Sequence, residues 1–252
     1  IMTIFGGELI WRGRQSKVNE YYDALTIPGW LPFTSKLFAI FWVFMFMLIA
    51  SMILGIIMQM VNGVFDIELV LYVKSLFVYS ASGFALLIFL IMFIHVLANN
   101  KYLGHMIVVL FYIVNFMALP ALNFTHNLYI FSGTPNAPYS DMNQYGHFVT
   151  PVFWFSLYWA FCAVVLAVVS NLFWVRGTDS GFKSRVKTSK YRFNPQSRIS
   201  LATALLAFVL SGGFIFYNTN ILNDYSNPDD TEARQVEYEK QYKKYDGIPQ
   251  PR

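Results

Sequence analysis

The chain has 252 residues, 56% of them hydrophobic and only 13% charged, with a formal net charge of +4. Soluble domains carry about 25% charged residues, so this composition, with a mean hydropathy of +0.45, excludes a soluble globular protein. It predicts an all-α polytopic membrane protein long enough for several spans but not for several folded domains. The small net charge gives no reason to invoke nucleic acid, and the single cysteine, Cys162, excludes an intrachain disulfide.

The chain opens at Ile1 without an initiator methionine or a basic-then-apolar signal peptide, and the expectation is that residues precede it. The segment GGELIWRGRQSKVNEYYDALTIPGW follows over 6–30. Read as one helix it is amphipathic, with Trp11, Val18, Tyr22 and Leu25 on one stripe and Arg12, Gln15, Asn19, Glu20 and Asp23 elsewhere. Pro28, Gly29 and Pro32 should stop it. Such a helix, leading directly into membrane spans, either anchors the bundle among lipid headgroups or docks a soluble partner.

Five apolar runs then have the roughly 17–25 residues needed to cross a hydrocarbon core: 37–61, 75–97, 105–122, 151–175 and 199–217. Asn115 and Pro120 interrupt the third, and Pro120 should kink or end it. Lysine and arginine alternate in side from loop to loop. One side holds Arg12, Arg14, Lys17, Lys36, Lys101 and the basic loop 176–198, whereas 123–150 contains none. By the positive-inside rule the amphipathic helix is cytoplasmic and the C-terminal end extracytoplasmic. The basic loop needs no role beyond setting topology beside anionic lipid.

The loop 123–150 is aromatic, rich in turn residues and carries Asp141 as its only Asp, Glu, Lys or Arg. It should rest on the membrane or re-enter it, with Tyr129, Phe131, Tyr139 and Tyr145 at the interface. Beyond the fifth span, Asn227-Pro228-Asp229-Asp230 reads as a helix start. Asp230–Arg234 and Glu239–Lys243 are spaced for ion pairs, and Tyr238, Tyr242 and Tyr245 form a stripe suited to packing under a further outer domain. The expected organisation is an amphipathic unit over 1–33, a four-span core over 34–175, the basic loop, a fifth span over 199–220, and an outer helix and linker over 221–252.

No Asp, Glu, Lys or Arg lies in the five apolar cores, which argues against internally coupled ion or proton transport. Energy, if used, should enter through a partner on the cytoplasmic helix. His95 and His105 flank VLANNKYLG and can approach each other, either as metal or haem ligands or as interfacial hydrogen-bonders. His126, Asp141 and His147 share the outer loop, either as a zinc set or in loop packing. No paired carboxylates, nucleophile elbow, H-E-x-x-H or G-x-x-x-x-G-K-[ST] occurs.

Several stretches carry a resemblance: GELIWRGR, NEYYDAL and PGW, then NNKYLGH, PYSDMNQYGHF, and the tail FYNTNILNDY…EYEKQYKKYDGIPQPR. Together they resemble the permeases of type-2 ABC exporters, in the bacterial branch fused to a zinc aminopeptidase. The resemblance implies that 7–25 is a coupling helix, that the first four spans match the family's third to sixth, and that 123–150 is its re-entrant outer segment. The family's first two spans and the peptidase are absent from these residues, so the chain itself is expected to be no enzyme and to hold no cofactor or metal. Further implications are a bacterial inner-membrane location, a cytoplasmic ABC ATPase dimer that binds ATP as a separate subunit, and a second half-transporter. Trp11, Arg12, Arg14, Lys17 and Tyr22 are the expected ATPase-coupling residues, the three cations facing the ATPase and the two rings wedged against the bundle. Tyr139, Asp141, Tyr145 and His147 mark the outer segment. The competing expectations are a non-transporting anchor that tethers an outer domain, and a redox or metal protein built on His95 and His105.

Overall fold

The computed structural model describes residues 2–177, 181–223 and 225–245. The architecture is all-α, with five helices long and apolar enough to cross a membrane. Two short helices, α1 (Met2–Gln15) and α2 (Asn19–Ala24), precede them. The spans are α3 (Leu31–Val61), α4 (Leu69–Ala98), α5 (Lys101–Ala121), α6 (Gly146–Phe173) and α8 (Pro195–Ile221). Helix α7 (Phe182–Arg192) joins α6 to α8, and α9 (Pro228–Tyr242) follows the last span.

The spans begin four to six residues before the apolar runs, whereas all but α8 end within two residues of them, because a lysine, arginine or proline in the first turns interrupts the run without interrupting the helix. Lys36, Lys74, Lys101 and Arg198 all lie on span helices near their ends. Pro32 does not close the amphipathic segment. It sits in the first turn of α3, where its missing N–H costs nothing. Span α4 is the hub: half of its most apolar window is buried inside the protein, against 11% for α3. It packs on α5, α6, α3 and α1, while α8 lies along α6. Leu86, Leu90, Ile94, Val108, Phe155 and Trp159 form the centre of this packing.

Two features of local sequence fix the α4–α5 turn. Asn99 adopts a left-handed conformation (φ 48°) that ends α4, a geometry asparagine tolerates better than most residues. Asn100 then caps α5, its side chain accepting from the N–H groups of Tyr102 (3.0 Å) and Leu103 (3.1 Å). In α5 the ladder widens into a π-helical stretch over Val114–Ala118 just before Pro120, and the helix ends at Ala121. A second π-helical stretch, Lys74–Ser80, lies in α4.

The single amphipathic helix expected over 7–25 is broken. Lys17 has φ 57°, and the Ser16 hydroxyl turns back to the Arg12 carbonyl (2.8 Å), so α1 ends and α2 leaves in a new direction. The stripe is broken with it: Trp11 and Tyr22 are half-buried, but Val18 and Leu25 are exposed. Nor do the expected pairs form on α9. The one ion pair among the described residues is Lys101–Glu8, and Asp230 instead accepts from the Asn227 N–H (3.2 Å) as a capping acid. The C-terminal linker over 246–252 lies outside the described residues.

Candidate functional site

The two ends of the bundle carry different chemistry. At the end where α1 packs, close approach is made possible by glycine. A Cβ on Gly7 would stand 2.3 Å from His105 Cε1, and one on Gly104 would stand 2.3 Å from His95 Nδ1. The Cβ on Gly7 would also stand 3.0 Å from His95 Cε1, so the backbone of α1 lies on both imidazoles, whose ring centroids are 4.8 Å apart in an edge-to-face arrangement. His95 is fully buried, and Trp11 Nε1 donates to its Nδ1 (3.4 Å). His95 Nε2 is buried without a partner. The two histidines thus meet as the sequence allows, but no group of three His, Cys, Asp or Glu residues suited to a metal comes together among the described residues. Lys101 pairs with Glu8 across α5 and α1, and this contact holds the Glu8 carboxyl below its usual range.

The same end collects the C-termini of α4 and α6, where unpaired carbonyls and the helix dipoles call for donors and positive charge. Arginines on other elements supply both. Arg185 of α7 is buried and donates to the carbonyls of Val96, Leu97 and Phe173. Arg192 donates to Trp174 O, and Arg14 Nη2 to Val175 O (2.6 Å). Arg176 gathers the carbonyls of Asp23, Leu25 and Ile27, which fixes the chain after α2. Lys36 Nζ caps Ile10 O (3.1 Å) and lies 5.2 Å from the centre of the Trp174 ring. The basic loop therefore has a structural part: three of its seven cations, Arg176, Arg185 and Arg192, are turned onto main-chain carbonyls of other elements. Sequence reading missed this, because a cap between distant elements leaves no local pattern.

Among the five residues expected to couple to an ATPase, Arg12 and Lys17 are exposed and Arg14 is turned inward. Trp11 lies between His95 and the Arg14 guanidinium, 5.7 Å from the latter. Tyr22 packs over Gly13. Helix α2 and its flanking residues present Val18, Tyr21 and Leu25 outward, at 50%, 77% and 57% exposure. Lys183, Lys187 and Lys190 of α7 are exposed at the same end.

At the opposite end the loop before α6 enters the bundle as irregular chain rather than as a short helix. Phe131 is buried against Phe111 and Trp159. Its backbone is held by buried Asn115, whose Oδ1 accepts from the Phe131 N–H (2.8 Å). The Trp159 indole donates to the Asn127 and Gly133 carbonyls, so loop backbone at this depth is satisfied by protein. His126 is consumed in packing: Nδ1 accepts from Leu128 N (3.1 Å), Nε2 meets the Thr219 hydroxyl (3.1 Å), and burial pulls its pKa down. Tyr145 is buried between Tyr79 and Tyr139, with ring centroids 4.3 and 5.6 Å away. Asp141 is exposed, and His147, also exposed, stacks on neighbouring Phe148. Comparison with known protein families, with curated proteins and with solved structures found no match.

Proposed function

We propose that the chain is the permease module of an ABC-type exporter, driven by ATP hydrolysed on a separate subunit at the basic end. The observation that carries this reading is the division of labour at the elbow of α1 and α2. Helix α1 is locked by Gly6 and Gly7 onto α4 and α5, in contact with α3 as well, while α2 stays exposed beyond the Lys17 bend. A push on α2 would pass through α1 to three spans at once, since packed interfaces transmit displacement rather than absorb it. The likeness of GELIWRGR, NEYYDAL and NNKYLGH to exporter permeases supports the same reading.

Arg12 and Lys17, with the α7 lysines, would meet the ATPase; Arg14 serves the bundle as a cap. Charge reversal at Arg12 and Lys17 should leave membrane insertion intact and reduce permease-dependent ATPase turnover by about tenfold, the scale of one or two lost charge contacts. Arg14→Glu should instead destabilise the chain. Unchanged ATPase turnover in the Arg12→Glu, Lys17→Glu variant would refute the coupling role. It would favour the second reading, a membrane anchor for an outer domain, which draws support from the ties of Asn123 to Asp229 (2.9 Å) and Thr125 to Asn227 (3.1 Å) that fix α9 to the bundle.

A further inference from the structure

The end of the bundle away from α1 contains a groove that the coupling argument does not use. It lies between α3, α4 and the loop before α6, and consists of two adjoining cavities of about 430 and 420 Å³ that share Ser75 and Tyr145. Each is within the range of small-molecule sites, roughly 300–1,000 Å³. The groove is graded. At its mouth stand Asp66 and Glu68; farther along come the rings of Tyr72, Tyr79, Tyr139 and Tyr145, and then Pro135, Ala137 and Val152.

Three details point to the chemistry of an occupant. No lysine, arginine or histidine lines either cavity, so the two carboxylates face a ligand without a built-in counter-charge. The nearby Lys74 is engaged elsewhere, donating to Gln144 Oε1 (2.9 Å). Three tyrosines, Tyr72, Tyr139 and Tyr145, line the same cavity as the two carboxylates, an arrangement that attracts organic cations through ring quadrupoles as well as charge. Gln59, which also lines the groove, has a buried Oε1 with no hydrogen-bond partner. The walls are braced from within the protein: Tyr72 rests on Gly55 of α3, and the Tyr139 hydroxyl donates to Glu68 Oε2 (3.3 Å).

We infer that this groove binds an ammonium group carried on an apolar body, its head between Asp66, Glu68 and the tyrosine rings and its tail along Pro135, Ala137 and Val152. The inference rests on the permease reading for its biological sense, since it names the class of cargo or regulator, but its test does not involve an ATPase. The shared chemistry is the ammonium, whether on a free cationic amphiphile or on a lipid headgroup.

The protein in maltoside micelles should be titrated calorimetrically with hexyltrimethylammonium, 1-hexanol and hexyl sulfate. The cation should bind at least about tenfold more tightly than the alcohol, and the sulfate should bind more weakly still. The exposed pair Asp66→Asn, Glu68→Gln should reduce the cation's affinity about tenfold while the elution profile stays monodisperse, and Tyr139→Leu should reduce it independently. Equal binding of cation and alcohol, or a cation affinity indifferent to the carboxylate pair, would overturn the inference. Repeating the titration in phosphocholine micelles separates the sources. Competition assigns the groove to a lipid headgroup, and its absence assigns it to a free solute. A groove that binds while Arg12→Glu, Lys17→Glu spares ATPase turnover removes the export reading alone; the reverse pattern removes the groove alone.

Discussion

Arg185 shows how a charge in a membrane protein's loop becomes structural. The residue is 5% exposed, and its guanidinium donates to three main-chain carbonyls on two different spans. Burial, and then the like charge of Arg14, lower its pKa from the ordinary value, yet arginine stays protonated because its reference lies so high. A planar fork reaches carbonyls in several directions at once, which a lysine ammonium on a single stem cannot do. Arg185→Leu should therefore strand acceptors at the ends of α4 and α6 and cost about 2–4 kcal/mol. Arg185→Lys should recover only part of that. The thermal unfolding midpoint in micelles measures both, and a leucine variant as stable as the parent would show that water can replace the caps. The glycines packed on the imidazoles belong to the same scale: Gly7 of α1 and Gly104 of α5 leave no room for even a methyl group.

At the scale of elements, hydropathy made the five spans legible, because lipid-compatible composition is a property of the run itself. The starts were less legible: a single charge such as Lys74 or Lys101 cuts the apolar run but is tolerated in the first turns of the helix. The α1–α2 bend escaped notice because a lysine at positive φ is uncommon and a stripe of four residues can be drawn through it. The approach of His95 to His105 was readable from the short NNKYLG connection, whereas the glycine contacts that press α1 onto them depend on tertiary packing. Asn115 looked like an interruption of its span and is instead the post to which the loop is tied. Asn115→Leu would remove the acceptor for the Phe131 N–H in a buried setting, at a cost of roughly 1–3 kcal/mol. The expected outcome is local: hydrogen exchange should quicken across 125–145 while α6 and α8 keep their protection. Exchange that quickened equally in every span would mean that the loop and the bundle open as one unit.

For the whole molecule, an odd number of spans puts the two ends of the chain on opposite sides. The structure agrees internally, since α1 packs beside the start of α3 and the end of α4 whereas α9 is tied to Asn123 after α5. The proposed assignment of the cytoplasmic side rests on charge. Cations cluster at the α1 end, and the loop between α5 and α6 has none. The bias holds even though Arg14, Arg185 and Arg192 finish as internal caps, because the rule counts lysine and arginine in short loops near span ends. Lys183, Lys187 and Lys190 stay exposed in the folded protein, where the proposed orientation would set them beside an anionic leaflet. Single-cysteine labelling tests the assignment directly, since replacing Cys162 with serine removes the only native thiol. In that background Met142→Cys, at a side chain 99% exposed, and Glu239→Cys on α9 should react with a membrane-impermeant maleimide in intact cells. Gln15→Cys at the end of α1 should react only after permeabilisation. If Gln15→Cys and Glu239→Cys labelled together, five crossings would be impossible. If the pattern were inverted, the fold would stand but no cytoplasmic ATPase could reach α2, and the groove near Tyr145 would open into the cell.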